Sequence, residues 1–496
     1  MKRFSKFFDA VRHHVLYRLV VQTMTYSFGT VIQRVLSLLL LPIYTRYLTP
    51  DDYGIVGLLT VTSLVLGTLT SLALTNGIGR YFYYPDQEKT SLESVVWSPV
   101  LFTLGFSLLV LIPLALLAGQ LSIWIFGSAE YEYLILLTLT GVLVSNLSGI
   151  GQSILVFQER AMTVNILNLI SIFVAVASGL YLVVVLQRGV TGLIESGLIT
   201  STVMALPTLG VSVFRYKPEF STSILNKQLR FSLPLVAALG AFFILDSSDR
   251  YFLKLFLPLS DVGIYNIGYS FGLIIMIFVG GFSSAWPPYY HRNNQNGEGQ
   301  TICNDVLRVY LLVLSACIVL LTVGAPLVLR LFTTPEFYAA DSIVPWVSTA
   351  YMLKGPYIIF LMGVLIKNRT SWQLYLEFAA AAVNLGGNLF LIPLYGREAA
   401  AFITLISYGV LALGSYYMVQ WINPIPAISK GFHSLTVVVL LLVTSIATIS
   451  YRLQWNYVLT VIAVLGIYIA VMFPAGVREF RPLLIKWMPA GWFPTR

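Results

Sequence analysis

Hydrophobic runs separated by short polar turns repeat along the whole chain, and charge-free windows occupy 94–127, 133–158, 161–187, 262–290 and 399–429. A helix needs about 20 apolar residues to cross a bilayer. The pattern therefore predicts fourteen spanning helices, near 19–46, 54–80, 95–118, 133–156, 161–186, 190–214, 231–256, 262–289, 307–332, 342–366, 370–394, 397–421, 431–451 and 456–477. The first 18 residues differ. They are basic, with Phe4, Phe7, Phe8, Val11 and Val15 falling roughly on one face. This predicts an interfacial helix on an anionic leaflet, with no small-residue cleavage site after it.

Composition agrees with this pattern. Hydrophobic residues make up 57% and charged residues only 10%, whereas soluble domains carry about a quarter charged. The Lys and Arg residues are unevenly placed. With the N-terminus inside, the cytoplasmic side takes about three for each one outside, so both termini are expected in the cytoplasm. Orientation accounts for most of the net charge of +9, leaving no argument for nucleic acid. The 14% aromatic content mostly reflects interfacial Trp and Tyr belts.

The turn LTPDDYGIV (48–56) returns as LPLSDVGIY (257–265), and VVVLQRGVTGLIESGLITS (183–201) resembles LFLIPLYGREAAAFITLIS (389–407). Aligning Gly54 with Gly263 and Gly189 with Gly396 gives nearly the same offset. The expected fold is all-α and integral to the membrane, with two parallel six-helix lobes followed by two further helices. The expected division is an interfacial helix at 1–18, an N-lobe at 19–215, a cytoplasmic linker at 216–230, a C-lobe at 231–421, and helices 13–14 with a cytoplasmic tail at 422–496. In transporters built from parallel repeats the substrate site lies between the halves.

Ionisable groups at membrane depth are expensive and mark function by default. Thr23, Ser27, Thr30, Arg34 and Ser37 share one face of helix 1, which lines either a cavity or a neighbouring helix. Lys354 lies midway along helix 10, beside Gly355-Pro356, where a broken helix is expected. Glu377 is read as its salt partner or as a proton carrier. Arg80 closes helix 2, either as a positive-inside anchor or at a cavity mouth. Asp249 and Arg250 are expected to pair structurally or to meet substrate. Asp246, three residues before Asp249, is the better candidate for coupling to H+ or Na+, because low dielectric favours the neutral carboxyl.

Four stretches carry a family resemblance: LPIYTRYLTPDDYGIVGLL (41–59), LALTNGIGRYFY (72–83), Asp249-Arg250 before LPLSDVGIY, and NLGGNLFLIPLYGREAAAFIT (384–404). Together they resemble the polysaccharide-transporter branch of the multidrug/oligosaccharidyl-lipid/polysaccharide exporter superfamily. Arg397-Glu398 departs from that pattern, in which a second glycine is more usual. The resemblance implies a multi-pass protein of the bacterial plasma (inner) membrane. Its cargo would be an undecaprenyl-diphosphate-linked oligosaccharide for O-antigen or exopolysaccharide assembly, moved by alternating access among membrane lipids and beside polymerase or ligase machinery. Arg34, Lys354, Arg80, Arg250, Thr30 and Ser27 would then line the head-group cavity. Asp246, Asp249 and Glu377 would couple transport to an ion.

The residues offer nothing for catalysis. P-loop and HExxH patterns are absent, Cys303 and Cys317 have no metal spacing, and no cofactor or metal is expected. A cation-coupled drug exporter and a peptidoglycan-precursor flippase remain readings within the superfamily. A membrane polysaccharide polymerase or ligase is the reading from another class.

Overall fold

The protein was analysed as a computed structural model that describes residues 36, 38–83, 91–295, 299–367, 369, 371–425, 430–453 and 455–487. The expected interfacial helix at 1–18 and most of helix 1 lie outside these residues. Among the described residues twelve helices are long and apolar enough to cross a membrane, and Leu435–Tyr451 is a shorter apolar one. They stand where helices 2–14 are expected. Their outward faces carry Phe173, Leu206 and Phe390, each at least 70% exposed, as hydrocarbon contact requires. The chain divides into two compact units, Met1–Gly240 and Ala241–Arg496.

In the first unit the LTPDDYGIV turn is a helix start. Thr49 Oγ1 accepts from the Asp52 N–H, while Asp52 Oδ2 accepts from the Thr49 N–H at 2.8 Å. This capping box, with Pro50 in the first turn, launches α1 (Pro50–Ser71). The expected single helix 2 is broken, because Leu72 and Ala73 are both left-handed, with φ of 48° and 52°, before α2 (Leu74–Tyr83) resumes. A left-handed non-glycine residue costs about 1–2 kcal/mol, whereas one methyl group contributes about 0.8. Ala73→Gly is therefore expected to raise stability by up to about 1 kcal/mol, read as melting temperature in detergent. A fall would refute this.

Next come α3 (Leu92–Leu116), α4 (Ala118–Phe126), α5 (Glu132–Phe157), α6 (Ala161–Gly179) and α7 (Gly189–Ser212). Gly151 lets α5 lie against α7; a Cβ there would sit 3.0 Å from the Thr208 carbonyl carbon. The aligned turn glycines Gly189 and Gly396 both have positive φ, 56° and 75°. Each stands at a helix start, and only glycine takes that conformation without strain.

α8 (Thr222–Ser247) begins at Thr222 rather than near 231, because Ile224 and Leu225 are buried and make its first turns amphipathic. The stretch before it is fastened to α3: Trp97 Nε1 donates to the Tyr216 carbonyl at 2.9 Å, and the Ser221 N–H donates to Ser98 Oγ at 2.9 Å.

The second unit continues with α9 (Asp249–Phe256), α10 (Leu259–Gly272), α11 (Met276–Gln295) and α12 (Gly299–Phe332). After them come α13 (Val344–Met352), α14 (Lys354–Leu365), α15 (Ser371–Tyr395), α16 (Arg397–Ile422), α17 (Lys430–Arg452) and α18 (Tyr457–Trp487). α16 packs against α13, α14 and α15, while α17 and α18 dock on α12. Pro326 inside α12 has no N–H for the carbonyl of Thr322. The Tyr451 hydroxyl of α17 donates to that carbonyl at 2.7 Å, and Tyr457 of α18 donates to Val323 O at 2.8 Å.

Asp341 lies outside the spans, in the short 3-10 stretch Pro335–Ser342. Burial pushes its carboxyl up to about 7, with Glu398 adding to the rise and the Ser342 backbone, Arg330 and Arg397 opposing it. A folded-state value above the unfolded one means stability falls as pH rises from the ordinary carboxylate range through about 7. Asp341→Asn should therefore flatten the decline in melting temperature between pH 5 and 8. Parallel wild-type and variant curves would refute this.

Candidate functional site

Buried polar side chains of the second unit gather where α8 gives way to α9, at Ser248. The Arg250 guanidinium pairs with Asp249 Oδ1 at 2.8 Å and donates to the Asp246 carbonyl at 3.1 Å. Tyr265 donates its hydroxyl to Asp249 Oδ2. Arg250 also lies over the Tyr269 ring, 4.0 Å from its centroid. Asp249 is 1% exposed and Arg250 7%, so of the two roles expected for this pair the structure displays the structural one.

Asp246 differs from Asp249. Its Oδ1 accepts from the hydroxyls of Tyr351, Tyr408 (3.1 Å) and Tyr269 (3.4 Å). No cation pairs with it among the described residues. Tyr265, Tyr269, Tyr351 and Tyr408 are all at most 2% exposed. These four tyrosines lie in the interior and not in an interfacial belt. A carboxylate deep in a low-dielectric interior needs donors, and here phenol hydroxyls from three helices supply them. The spacing of Tyr265 and Tyr269 by four residues on α10 is the signal that sequence offered. Nothing in sequence brought Tyr351 and Tyr408 to them.

The asparagines of the fourth motif brace the same break. Asn384 Oδ1 accepts from Ser248 Oγ at 3.1 Å and from Asn388 Nδ2 at 2.9 Å, and Asn384 Nδ2 reaches the Leu245 carbonyl at 3.4 Å. Asn388 Oδ1 is buried without a partner.

Lys354 is the first residue of α14, just past the break at Leu353, beside the Gly355-Pro356 pair that led us to expect one. Its ammonium lies over the Phe242 ring, 4.6 Å from the centroid. It belongs to none of the ion pairs among the described residues. Glu377, one of whose expected roles was salt partner to Lys354, instead accepts from the Tyr357 hydroxyl and from Gln373 Nε2, both at 2.9 Å. Aligned neutral donors hold that carboxylate, so the pairing is not made.

In the first unit Arg80, on α2, lies over the Phe231 ring at 4.8 Å. With Asn76, Phe231 and Leu235 it lines an open cavity of about 520 Å³. Arg34, Ser27 and Thr30 fall outside the described residues.

This architecture has close counterparts among solved structures. "Lipid II flippase MurJ, inward closed conformation" superposes with a TM-score of 0.68, covering 92% of this chain and 99% of that one at 16% identity. An inward-facing multidrug resistance MATE family transporter of the MOP superfamily gives 0.63, covering 82% and 96% at 14% identity. The fold is thus shared with these multi-pass membrane transporters. The chain itself belongs to the polysaccharide biosynthesis protein family, whose model matches residues 19–294. Lsg locus putative protein 1 of Haemophilus influenzae is 26% identical over 276 residues, 54% of this chain. The match spans 64% of that relative's length, less than two thirds.

Proposed function

We propose that this protein is a flippase, not an enzyme. Its cargo is a polyprenyl-diphosphate-linked oligosaccharide, moved from the cytoplasmic to the outer leaflet of the bacterial inner membrane for O-antigen or exopolysaccharide assembly. The observation that carries the reading is Lys354. A cation within a spanning helix, at a helix break and in no ion pair among the described residues, suits an anionic ligand. A diphosphate bearing sugars cannot cross about 30 Å of hydrocarbon unaided. Charged donors replace the water that its oxygens lose.

Lys354 is assigned to the phosphates. The expectation that Arg34, Ser27 and Thr30 contact the head group rests on the sequence alone. Arg80, exposed at its cavity, meets the head group at the cytoplasmic entrance. Arg250, committed to Asp249, holds the cluster in shape. Asp246, surrounded by hydroxyls and in no ion pair among the described residues, takes up the coupling proton or Na+ ion. Asp249 and Glu377 support it. Polymerase or ligase machinery would receive the cargo on the far side.

The deciding experiment reconstitutes the purified protein in liposomes with a labelled lipid-linked oligosaccharide and follows its appearance in the opposite leaflet. Deletion in cells should abolish surface polysaccharide while cells stay viable. Loss of viability would favour a peptidoglycan-precursor flippase, and sensitivity to lipophilic cations a drug exporter. Formation of new glycosidic bonds by the purified protein would show an enzyme.

A further inference from the structure

Tyr351 stands three residues before Lys354 and Tyr357 three after it, one on each side of the break at Leu353. Each hydroxyl donates to a different carboxylate, Tyr351 to Asp246 Oδ1 and Tyr357 to Glu377 Oε1 at 2.9 Å. Asp246 and Glu377 both act electrostatically on the Lys354 ammonium. We propose that Tyr351 and Tyr357 are positioning residues for Lys354: by holding both acids, they keep the ammonium open to the anionic head group. The inference deepens the flippase reading above and rests on it.

The neighbouring geometry shows where the ammonium rests instead. It lies over the Phe242 ring, 4.6 Å from the centroid. Phe242 precedes Asp246 by four residues on α8, one turn along the same face. The contacts Phe242 to Lys354 and Asp246 to Tyr351 therefore run side by side between the same two segments. Lys354 and Asp246 are both half-buried, yet neither belongs to an ion pair among the described residues.

A carboxylate taken out of water must find donors. A nearby ammonium would be the strongest of them, since opposite charges attract more as the dielectric falls, and a ring face holds a cation less firmly than a carboxylate does. A phenol supplies the hydrogen bond without using up the lysine. Each acid has a further neutral donor as well: Tyr408 at 3.1 Å on Asp246, and Gln373 Nε2 at 2.9 Å on Glu377. Arg250, which reaches the Asp246 carbonyl, is held by Asp249. With one phenol hydroxyl removed, its acid is short of a donor and Lys354 can make up the loss. The cation would then be neutralised from within the protein.

The test measures binding of a fluorescent farnesyl-diphosphate-linked disaccharide to the full-length protein in detergent. Tyr357→Phe and Tyr351→Phe should each weaken binding by about tenfold, although Lys354 is untouched. Glu377→Gln should restore binding to Tyr357→Phe, and Asp246→Asn to Tyr351→Phe, while the crossed pairs restore much less. Thermal unfolding separates this from a purely structural role. If Lys354 captures the freed acid, Tyr357→Phe lowers the melting temperature less in the presence of Lys354 than in a Lys354→Gln background. Equal losses in the two backgrounds would mean that the phenol only braces the fold, and overturn the proposal. Tyrosine variants that bind like wild type would also overturn it, as would crossed pairs that rescue as well as matched ones. If wild-type protein does not bind the probe, or Lys354→Gln binds it as tightly as wild type, the anion site at Lys354 itself fails and the tyrosine assignment falls with it.

Discussion

Alanine at Arg250 is expected to destabilise the protein by about 3–5 kcal/mol, the usual consequence of stranding one member of a buried ion pair. Asp249 would be left 1% exposed with only the Tyr265 hydroxyl and the backbone N–H of residue 250 on its side chain. The Tyr269 ring would also lose the guanidinium stacked 4.0 Å above its centre. Pairing Arg250→Met with Asp249→Asn should recover much of the loss, because the double variant buries no lone charge. Thermal unfolding followed by size-exclusion chromatography reads both variants. A single variant as stable as wild type, or a double variant no better than the single, would show that this pair is not a structural brace.

Lys354→Gln should act on transport instead. Charge-assisted hydrogen bonds contribute about 1.5–3 kcal/mol, so losing them from the translocation step should slow transfer of lipid-linked oligosaccharide by about ten- to a hundredfold. Lys354→Arg should retain part of the activity. Melting temperature should hardly change, because Lys354 is in no ion pair among the described residues whose rupture would strand an acid. The contrast is diagnostic: Arg250 is expected to fail in stability, Lys354 in turnover. Wild-type transfer rates with glutamine at 354 would remove the main support for an anion site in the second unit.

Much of this was legible in the chain. Thr49-Pro50-Asp51-Asp52 reads as a turn ahead of helix 2, and the structure starts that helix within the turn, at Pro50, with a capping box. The Gly355-Pro356 pair announces a broken helix, and the break falls at Leu353. Glycines aligned by sequence alone, Gly189 and Gly396, share a positive φ. The left-handed pair at Leu72 and Ala73 was not legible, because neither residue prefers that conformation. Nor was the start of α8, where a stretch taken for polar linker buries Ile224 and Leu225.

Sequence determined what the bilayer demands of any segment on its own: length, apolarity and where a helix must break. Those are local constraints, set by hydration free energy and backbone geometry over some twenty residues. Tertiary structure decided which charges find partners. Whether Glu377 would face Lys354 or accept from Tyr357 and Gln373, and whether Asp246 would stand among phenols from α10, α13 and α16, depended on how helices far apart in the chain rotate against each other. A charge in low dielectric takes whichever donor lies within about 3 Å, and no one-dimensional pattern records that distance.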